Sequence, residues 1–378
     1  MRNLEGKIHI RLAWDGQRIR RASLEPRALV QIGAMLRGKS AQHAAQLIPM
    51  LFSLCGKAQA GAAAAALEAA QGEPAPSASL KRERLVLAEA LQETLWRLLL
   101  DLPGIMGMEA NPALLAQVRQ RCAQAFASEQ DATAWQRFVE ELGQTVNHAL
   151  FGTATTCWRD MADVEQLMRC LRQANTTTAN IVLACWRGTG RWGASAVGLM
   201  PPADRAGVLA ALAPGWHSDA DFARHPHWHG QPMETGALAR MRAHPVLAAL
   251  LQLEGASILT RLLARLYELE ELLARLHAAS LPPQPWVQGT ALDTGVALAW
   301  VQTARGLLLH RVALDRQGMI EDYCIVAPTE WNFHPAGACV QGLAGQAAAS
   351  AEQARRSAEL LVQALDPCVA YHIEVDHA

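Results

Sequence analysis

Asp366-Pro367-Cys368-Val369-Ala370-Tyr371-His372, near the end of a 378-residue chain, reads as a metal-thiolate motif with half of its ligands missing. Its counterpart near the start is Leu54-Cys55-Gly56-Lys57-Ala58, the first half of a Cys-x-x-Cys pair. One isolated cysteine would carry little information. Two thiolates, one near each end, suggest convergence on a single site, and thiolate sulfur selects soft metals.

Composition narrows the function classes. A net charge of -1 and a pI near 6.9 give no bulk electrostatic case for nucleic acid or for an anionic membrane surface. The eight cysteines (Cys55, Cys122, Cys157, Cys170, Cys185, Cys324, Cys339 and Cys368) are scattered rather than framed, and the N-terminus opens on charged, strand-like sequence. A reducing, cytoplasmic setting is therefore expected. No uncharged apolar stretch approaches the ~18 residues that a membrane span needs. Eleven tryptophans against three tyrosines is unusual, and core or interface anchoring is the simplest role for them.

The chain divides by pattern. Alternation over 7–23 (Ile8, Ile10, Leu12, Trp14, then Asp15-Gly16, then Ile19 and Ala22) predicts a β-hairpin. From Glu25 to about Ala70 apolar residues recur at helical spacing, and alanine-rich 60–70 has strong helix propensity, so Cys55 falls at a junction between helical stretches. Pro/Gly/Ser-rich 71–80 predicts an exposed loop. Helices are expected over 81–101, 112–127, 132–150 and 161–174, and a strand-like segment over 181–197. A leucine-rich core helix is expected over 245–279, with Gly255 as a candidate interruption. Strands should occupy 296–301 and 307–326, turning at Asp315-Arg316-Gln317-Gly318, and a last helix over 344–365 should deliver Cys368 just past its end. The expectation is a single α+β, mainly α domain over 1–378, with small β elements at the N-terminus and around 296–326.

Six segments resemble, in order, motifs of nickel-iron hydrogenase large subunits. They are Leu4-Glu5-Gly6 with its alternating strand, Leu54-Cys55-Gly56, Pro232-Met233-Glu234-Thr235-Gly236-Ala237-Leu238-Ala239-Arg240, Ala304-Arg305-Gly306-Leu307 with His310, Pro328-Thr329-Glu330-Trp331-Asn332, and Asp366-Pro367-Cys368. Each is short, and the shared order carries the weight. The resemblance implies a large-subunit-like helical core.

The departures carry the functional reading. In that family four thiolates hold nickel, and the second cysteine of each pair bridges to an iron bearing cyanide and carbon monoxide. Here those second positions are Ala58 and Tyr371. The family's histidines fall at Ala62 and Glu374, so His372 and His377 could serve only by a register shift, and the arginine before the first cysteine is Ser53. With four residues after Glu374, no proteolytic processing is expected. Arg305 and Thr329 match positions that donate hydrogen bonds to iron-bound cyanide, and Glu5 matches a glutamate beside the metal. Loss of nickel ligands with retention of cyanide donors resembles the HupK/HoxV-type hydrogenase accessory proteins. That resemblance implies no enzyme activity and no nickel. It implies Cys55 and Cys368 as metal ligands for a transient iron carrying cyanide and carbon monoxide, and Arg305, Thr329 and Glu5 beside it. Implied partners are the maturation proteins that build the iron fragment and the large-subunit precursor that accepts it, with a metal-free assembly factor as the alternative.

Two further motifs are read more plainly. Gly188-Thr189-Gly190-Arg191-Trp192-Gly193 matches a dinucleotide fingerprint by letters only and is expected to be a glycine-rich turn. The tract His225-Pro226-His227-Trp228-His229, with His217 nearby, lies in an expected irregular loop where no cysteine or carboxylate completes a ligand set. His334 is a candidate to line the pocket.

Overall fold

The computed structural model describes residues 6–25, 32–52, 54–72, 80–127, 132–152, 161, 163–188, 191–212 and 220–378. Glu5, Ser53, Cys157, His217, most of the expected loop over 71–80, and Thr189-Gly190 lie outside the described residues.

Among the described residues helices dominate, and three small sheets are inserted among them. The strands are β1 (Lys7–Trp14), β2 (Ile19–Glu25), β3 (Gly198–Leu199), β4 (Met233–Glu234), β5 (Val287–Asp293), β6 (Val296–Thr303), β7 (Gly306–Leu314), β8 (Ile320–Val326) and β9 (Ala370–His377). β1 and β2 form the expected hairpin, whose turn is held by Asp15 accepting from the backbone N–H of Gln17 and Arg18. The strand-like sequence after Cys368 is β9, which pairs in parallel with β1 from Lys7↔Ala370 to Trp14↔His377. The two chain ends therefore meet in one sheet, ordered β2-β1-β9.

The helices expected over 81–174 are present as Leu80–Trp96, Pro112–Ala127, Ala132–Phe151 and Val164–Ala174. The first continues through a π-helical turn, Arg97–Asp101, into Leu102–Met106. The long leucine pattern is split at Gly255 (φ +74) into Pro245–Glu254 and Ile258–His277. The second piece is buried almost all round over its first three turns.

Two expectations need correction: the last helix, expected over 344–365, runs only over Ala351–Leu365, and the strand-like reading of 181–197 fails. Residues 181–197 begin not as a strand but as the end of a helix, Thr177–Gly188. Thr178, Ala179, Ile181, Val182, Leu183 and Cys185 are all buried, so the segment is apolar on nearly every side. A helix covered on all sides and a buried strand give the same continuous apolar run. Gly188 therefore ends a helix and does not open a hairpin.

The meander β5-β6-β7-β8 is buried on both faces. Ala297, Ala299, Val301, Leu308 and Val312 pack into the main core, while Leu298, Trp300, Leu307, Leu309 and Val326 join a second core with Trp228 and Trp331. On the main-core side lies the helix Gly56–Ala70, with Cys55 at its N-cap. Its alanine content reflects close approach as much as propensity. A Cβ on Gly289 would sit 2.7 Å from the Ala65 carbonyl oxygen, so helix and sheet touch backbone to backbone.

Candidate functional site

Four of the motif segments meet around Asn332, which ends the short helix Pro328–Asn332. Its Oδ1 accepts from the Thr235 N–H at 2.9 Å, and its Nδ2 donates to the carbonyls of Arg305 (3.2 Å) and Leu365 (3.3 Å). Thr235 Oγ1 accepts from the Leu307 N–H at 3.0 Å. Gly306, at φ +130, is required here, because a Cβ would lie 2.3 Å from Thr235 Cγ2. Arg305 sits in the two-residue turn between β6 and β7, where Thr303 Oγ1 accepts from the N–H groups of Arg305 and Gly306. The side chain of Arg305 is thereby aimed from a rigid hairpin.

Beneath this junction lies Asp366. The helix Ala351–Leu365 ends on it in the left-handed region (φ +57), which aspartate tolerates better than most residues, and the chain turns toward Pro367 and Cys368. Three guanidiniums surround its carboxylate: Arg97 on Oδ1, Arg265 on Oδ2 at 2.9 Å, and Arg305 at 3.3 Å from Oδ1. Arg97 also donates to the Pro367 carbonyl (2.8 Å) and Arg265 to the Ala364 carbonyl (2.9 Å). Burial alone would raise the Asp366 pKa, but the charges of Arg97, Arg305 and Arg265 outweigh it and hold the carboxyl well below the usual carboxylate range. Arg305 meets a second carboxylate, Glu93, at 2.6 Å. Burial pushes the Glu93 pKa up, against the pull of Arg305.

The two cysteines border this charge cluster. Cys55 and Cys368 are both buried. Burial pushes the Cys55 thiol well above its ordinary value, and the neighbouring charges of Cys368 and then Glu93 push further, while Arg305 opposes them. The pair from opposite ends of the sequence is thus close enough to interact electrostatically. Were both cysteines to act as thiolates toward a metal, binding would displace their protons. Thr329 Oγ1 lies 3.1 Å from Cys368 Sγ. Of the residues expected at the site, Cys55, Cys368, Arg305 and Thr329 are brought together, and Glu5 lies outside the described residues.

The substituted positions have other partners. The Ala58 N–H donates to Glu89 at 2.8 Å, as does that of Lys57, so a carboxylate caps the helix that starts beside Cys55. Burial, then the charge of Glu93, raises the Glu89 pKa to about 7. The Tyr371 hydroxyl accepts from Gln363 Nε2 at 3.0 Å, and Tyr371 is opposite Ile8 in the sheet. His372, Glu374 and His377 are exposed along β9, with His372 against His9 and His377 against Trp14. No register shift brings the histidines to the thiols.

Sequence reasoning did not single out Glu93, Arg97, Arg265 or Gln59. A signal existed for part of this. Arg261, Arg265 and Glu268 recur at i, i+4 and i+7 inside the leucine-rich helix, and each is buried against a different segment, pairing with Glu234, Asp366 and Arg240 respectively. Gln59 donates to Cys55 Sγ at 3.8 Å and lies 2.8 Å from His310 Nε2, whose Nδ1 is 2.8 Å from the Tyr323 hydroxyl. In the histidine tract, His225 is 3.2 Å from Asp221 and its ring meets that of His334, 5.8 Å between centroids. His227 packs on Phe222, and His229 is exposed. Among the described residues no group of three or more His, Cys, Asp or Glu side chains is arranged to hold a metal ion.

Comparison with known proteins agrees with this architecture. No protein-family model matches the chain. A hydrogenase expression/formation protein HoxV from Cupriavidus necator is 34% identical over 359 residues, covering 90% of this chain and 89% of the relative. The chain belongs to the HupK/HoxV family of hydrogenase expression/formation proteins. A HupK protein from Azotobacter vinelandii is 32% identical, covering 99% of this chain and 100% of its own. Among solved structures, the reduced Ni-Fe-Se hydrogenase from Desulfomicrobium baculatum superposes with a TM-score of 0.61 at 16% identity, covering 94% of this chain and 95% of that one. The Ni-Fe-Se hydrogenase from Desulfovibrio vulgaris Hildenborough gives 0.55 at 18% identity and 94% coverage of both. These establish the large-subunit fold, α+β and mainly α.

Two predictions follow from the cluster. Asp366→Asn keeps the left-handed turn but leaves three guanidiniums without their shared counter-charge, and should cost about 3–5 kcal/mol in urea unfolding; a loss under 1 kcal/mol would mean that the carboxylate is dispensable. His310 is driven by burial down to about 3 and stays neutral in the folded protein. The unfolded chain, with a histidine pKa near ~6.5, takes up that proton first. This contribution is therefore complete above about pH 6.5 and is lost as pH falls toward 3, at up to ~1.4 kcal/mol per pH unit. His310→Gln lacks it, so the stability gap between wild type and variant should narrow steadily between pH 7 and pH 5; parallel curves would contradict a buried neutral His310.

Proposed function

We propose that the protein is an accessory factor in nickel-iron hydrogenase maturation, a scaffold that receives an iron carrying cyanide and carbon monoxide and passes it to the large-subunit precursor. Membership of the expression/formation family and the large-subunit fold support a role in hydrogenase maturation. The finer reading rests chiefly on one observation: Cys55 and Cys368 converge beside Arg305 and Thr329 while Ala58 and Tyr371 occupy the other two thiolate positions. Two thiolates without further protein ligands suit a cargo that brings its own diatomic ligands and must leave again. A weakly held iron can depart by exchange onto thiolates of an acceptor, and a cysteine from that partner can complete the set during transfer. The same loss of thiolates argues against a resident nickel and against hydrogen turnover by this chain. In the large-subunit resemblance, Arg305 and Thr329 match positions that donate to iron-bound cyanide; here the Arg305 guanidinium is paired with Glu93 and Asp366, and Thr329 Oγ1 lies against Cys368 Sγ.

Partners on this reading are the maturation proteins that build the iron fragment and the precursor that accepts it. Among the described residues no helix is long and apolar enough to cross a membrane. A second reading, a metal-free assembly factor that binds a hydrogenase subunit, draws on the lack of a preformed three-ligand group among the described residues.

Cells that depend on this protein for hydrogenase assembly separate the two readings. Cys55→Ser and Cys368→Ser should each reduce active, iron-loaded hydrogenase severalfold while the variant protein accumulates normally. Full maturation with both serines in place would sink the scaffold and leave the assembly factor.

A further inference from the structure

The buried chain Tyr323–His310–Gln59–Cys55 has a direction, and that direction is set at the end remote from the sulfur. Tyr323 is buried, and among the described residues its hydroxyl has His310 Nδ1, at 2.8 Å, as its hydrogen-bond partner. A buried hydroxyl proton without an acceptor carries its whole desolvation penalty, so Tyr323 donates and Nδ1 accepts. A neutral imidazole that accepts at Nδ1 carries its proton on Nε2. That Nε2–H faces Gln59 at 2.8 Å and must find the amide oxygen there, not the NH2 group. With its oxygen engaged by His310, the Gln59 side chain has its NH2 left for the Cys55 sulfur, 3.8 Å away. Each step follows from the one before, although an amide could otherwise be flipped without visible consequence.

We propose that Gln59, locked by His310 and Tyr323, is a positioning residue that presents an N–H to Cys55 Sγ and so holds this sulfur as a hydrogen-bond acceptor, set up to give its lone pairs to a metal. Metal ligands are oriented and tuned by the hydrogen bonds behind them. The arrangement treats the two cysteines differently. Cys368 meets the hydroxyl of Thr329, which can donate or accept, whereas Cys55 meets a group that can only donate. Cys55 is thus the anchor of the pair, and Cys368 the sulfur whose environment can change as cargo arrives or leaves. This deepens the scaffold reading and rests on it for the role of the sulfur; the hydrogen-bond direction itself does not depend on any cargo.

The test uses the full-length, metal-free protein and two spectroscopic readouts. Nitrogen-15 NMR of histidine-labelled protein should show His310 as the Nε2–H tautomer. An Nδ1–H tautomer would overturn the proposal, because Gln59 would then turn its carbonyl toward the sulfur. Infrared spectroscopy isolates the Cys55 S–H stretch as the difference between a protein and its Cys55→Ser counterpart. Gln59→Glu keeps the shape and the acceptor for His310 but replaces the N–H with an oxygen, so the S–H group becomes a donor and its band should move to lower frequency. An unchanged band would mean that Gln59 does not govern the sulfur. Should the buried glutamate prevent folding, the tautomer of the wild-type protein still decides. Both readouts precede any metal, so a failure of the iron-cargo reading leaves them standing and a failure of this one leaves that reading open.

Discussion

The carboxylate of Asp366 is the constraint on which the arrangement depends. It ties together a π-helical turn through Arg97, the central leucine-rich helix through Arg265 and the β6–β7 hairpin through Arg305, and it does so one residue before Pro367-Cys368. Those segments are distant in sequence, and non-directional apolar packing does not by itself fix their rotation about one another. A buried ion cluster is a weak source of net stability, because desolvating its members offsets most of the attraction. What it supplies is register. The left-handed turn at Asp366 and the guanidinium of Arg97 on the Pro367 carbonyl place Cys368, and β9 then returns along β1 to tie the chain ends together.

On that frame the two sulfurs differ in kind. Cys55 sits at the N-cap of an alanine-rich helix pressed against the meander, with Glu89 capping the next two N–H groups. Cys368 lies on the loop between the last helix and the last strand, facing Thr329. Burial makes the Cys55 thiol hard to ionise in isolation, so a metal bound there would have to displace its proton. The surrounding charges are arranged about the cysteines without any of them completing a conventional three-ligand set among the described residues.

Much of this was legible in the sequence, for identifiable reasons. The Asp15-Gly16 turn, the break at Gly255 and the Asp315–Gly318 turn are local chemistry, and local chemistry reads directly. The convergence of Cys55 with Cys368 was legible through the ordered motifs, since their resemblance brings a fold with it. Three things were not. β9 follows a motif whose interest lies in its cysteine, and its partner β1 is the full chain length away. The helix Thr177–Gly188 is apolar on nearly all sides and so has no period to read. The partners of Arg97, Arg265, Glu93 and Gln59 are set by tertiary contacts, and a charged residue in a helical pattern reads as solvent-facing until something shows what it meets.

The central claim is that Cys55 and Cys368 hold an iron that bears cyanide and carbon monoxide. Infrared spectroscopy addresses it most directly, on protein purified without oxygen from cells expressing the full maturation machinery, with iron and nickel assayed on the same sample. The account predicts stretching bands of metal-bound cyanide and carbon monoxide, with iron present, nickel absent, and the bands lost in Cys55→Ser or Cys368→Ser. Metal-free protein without such bands, still co-purifying with a hydrogenase subunit, would contradict it.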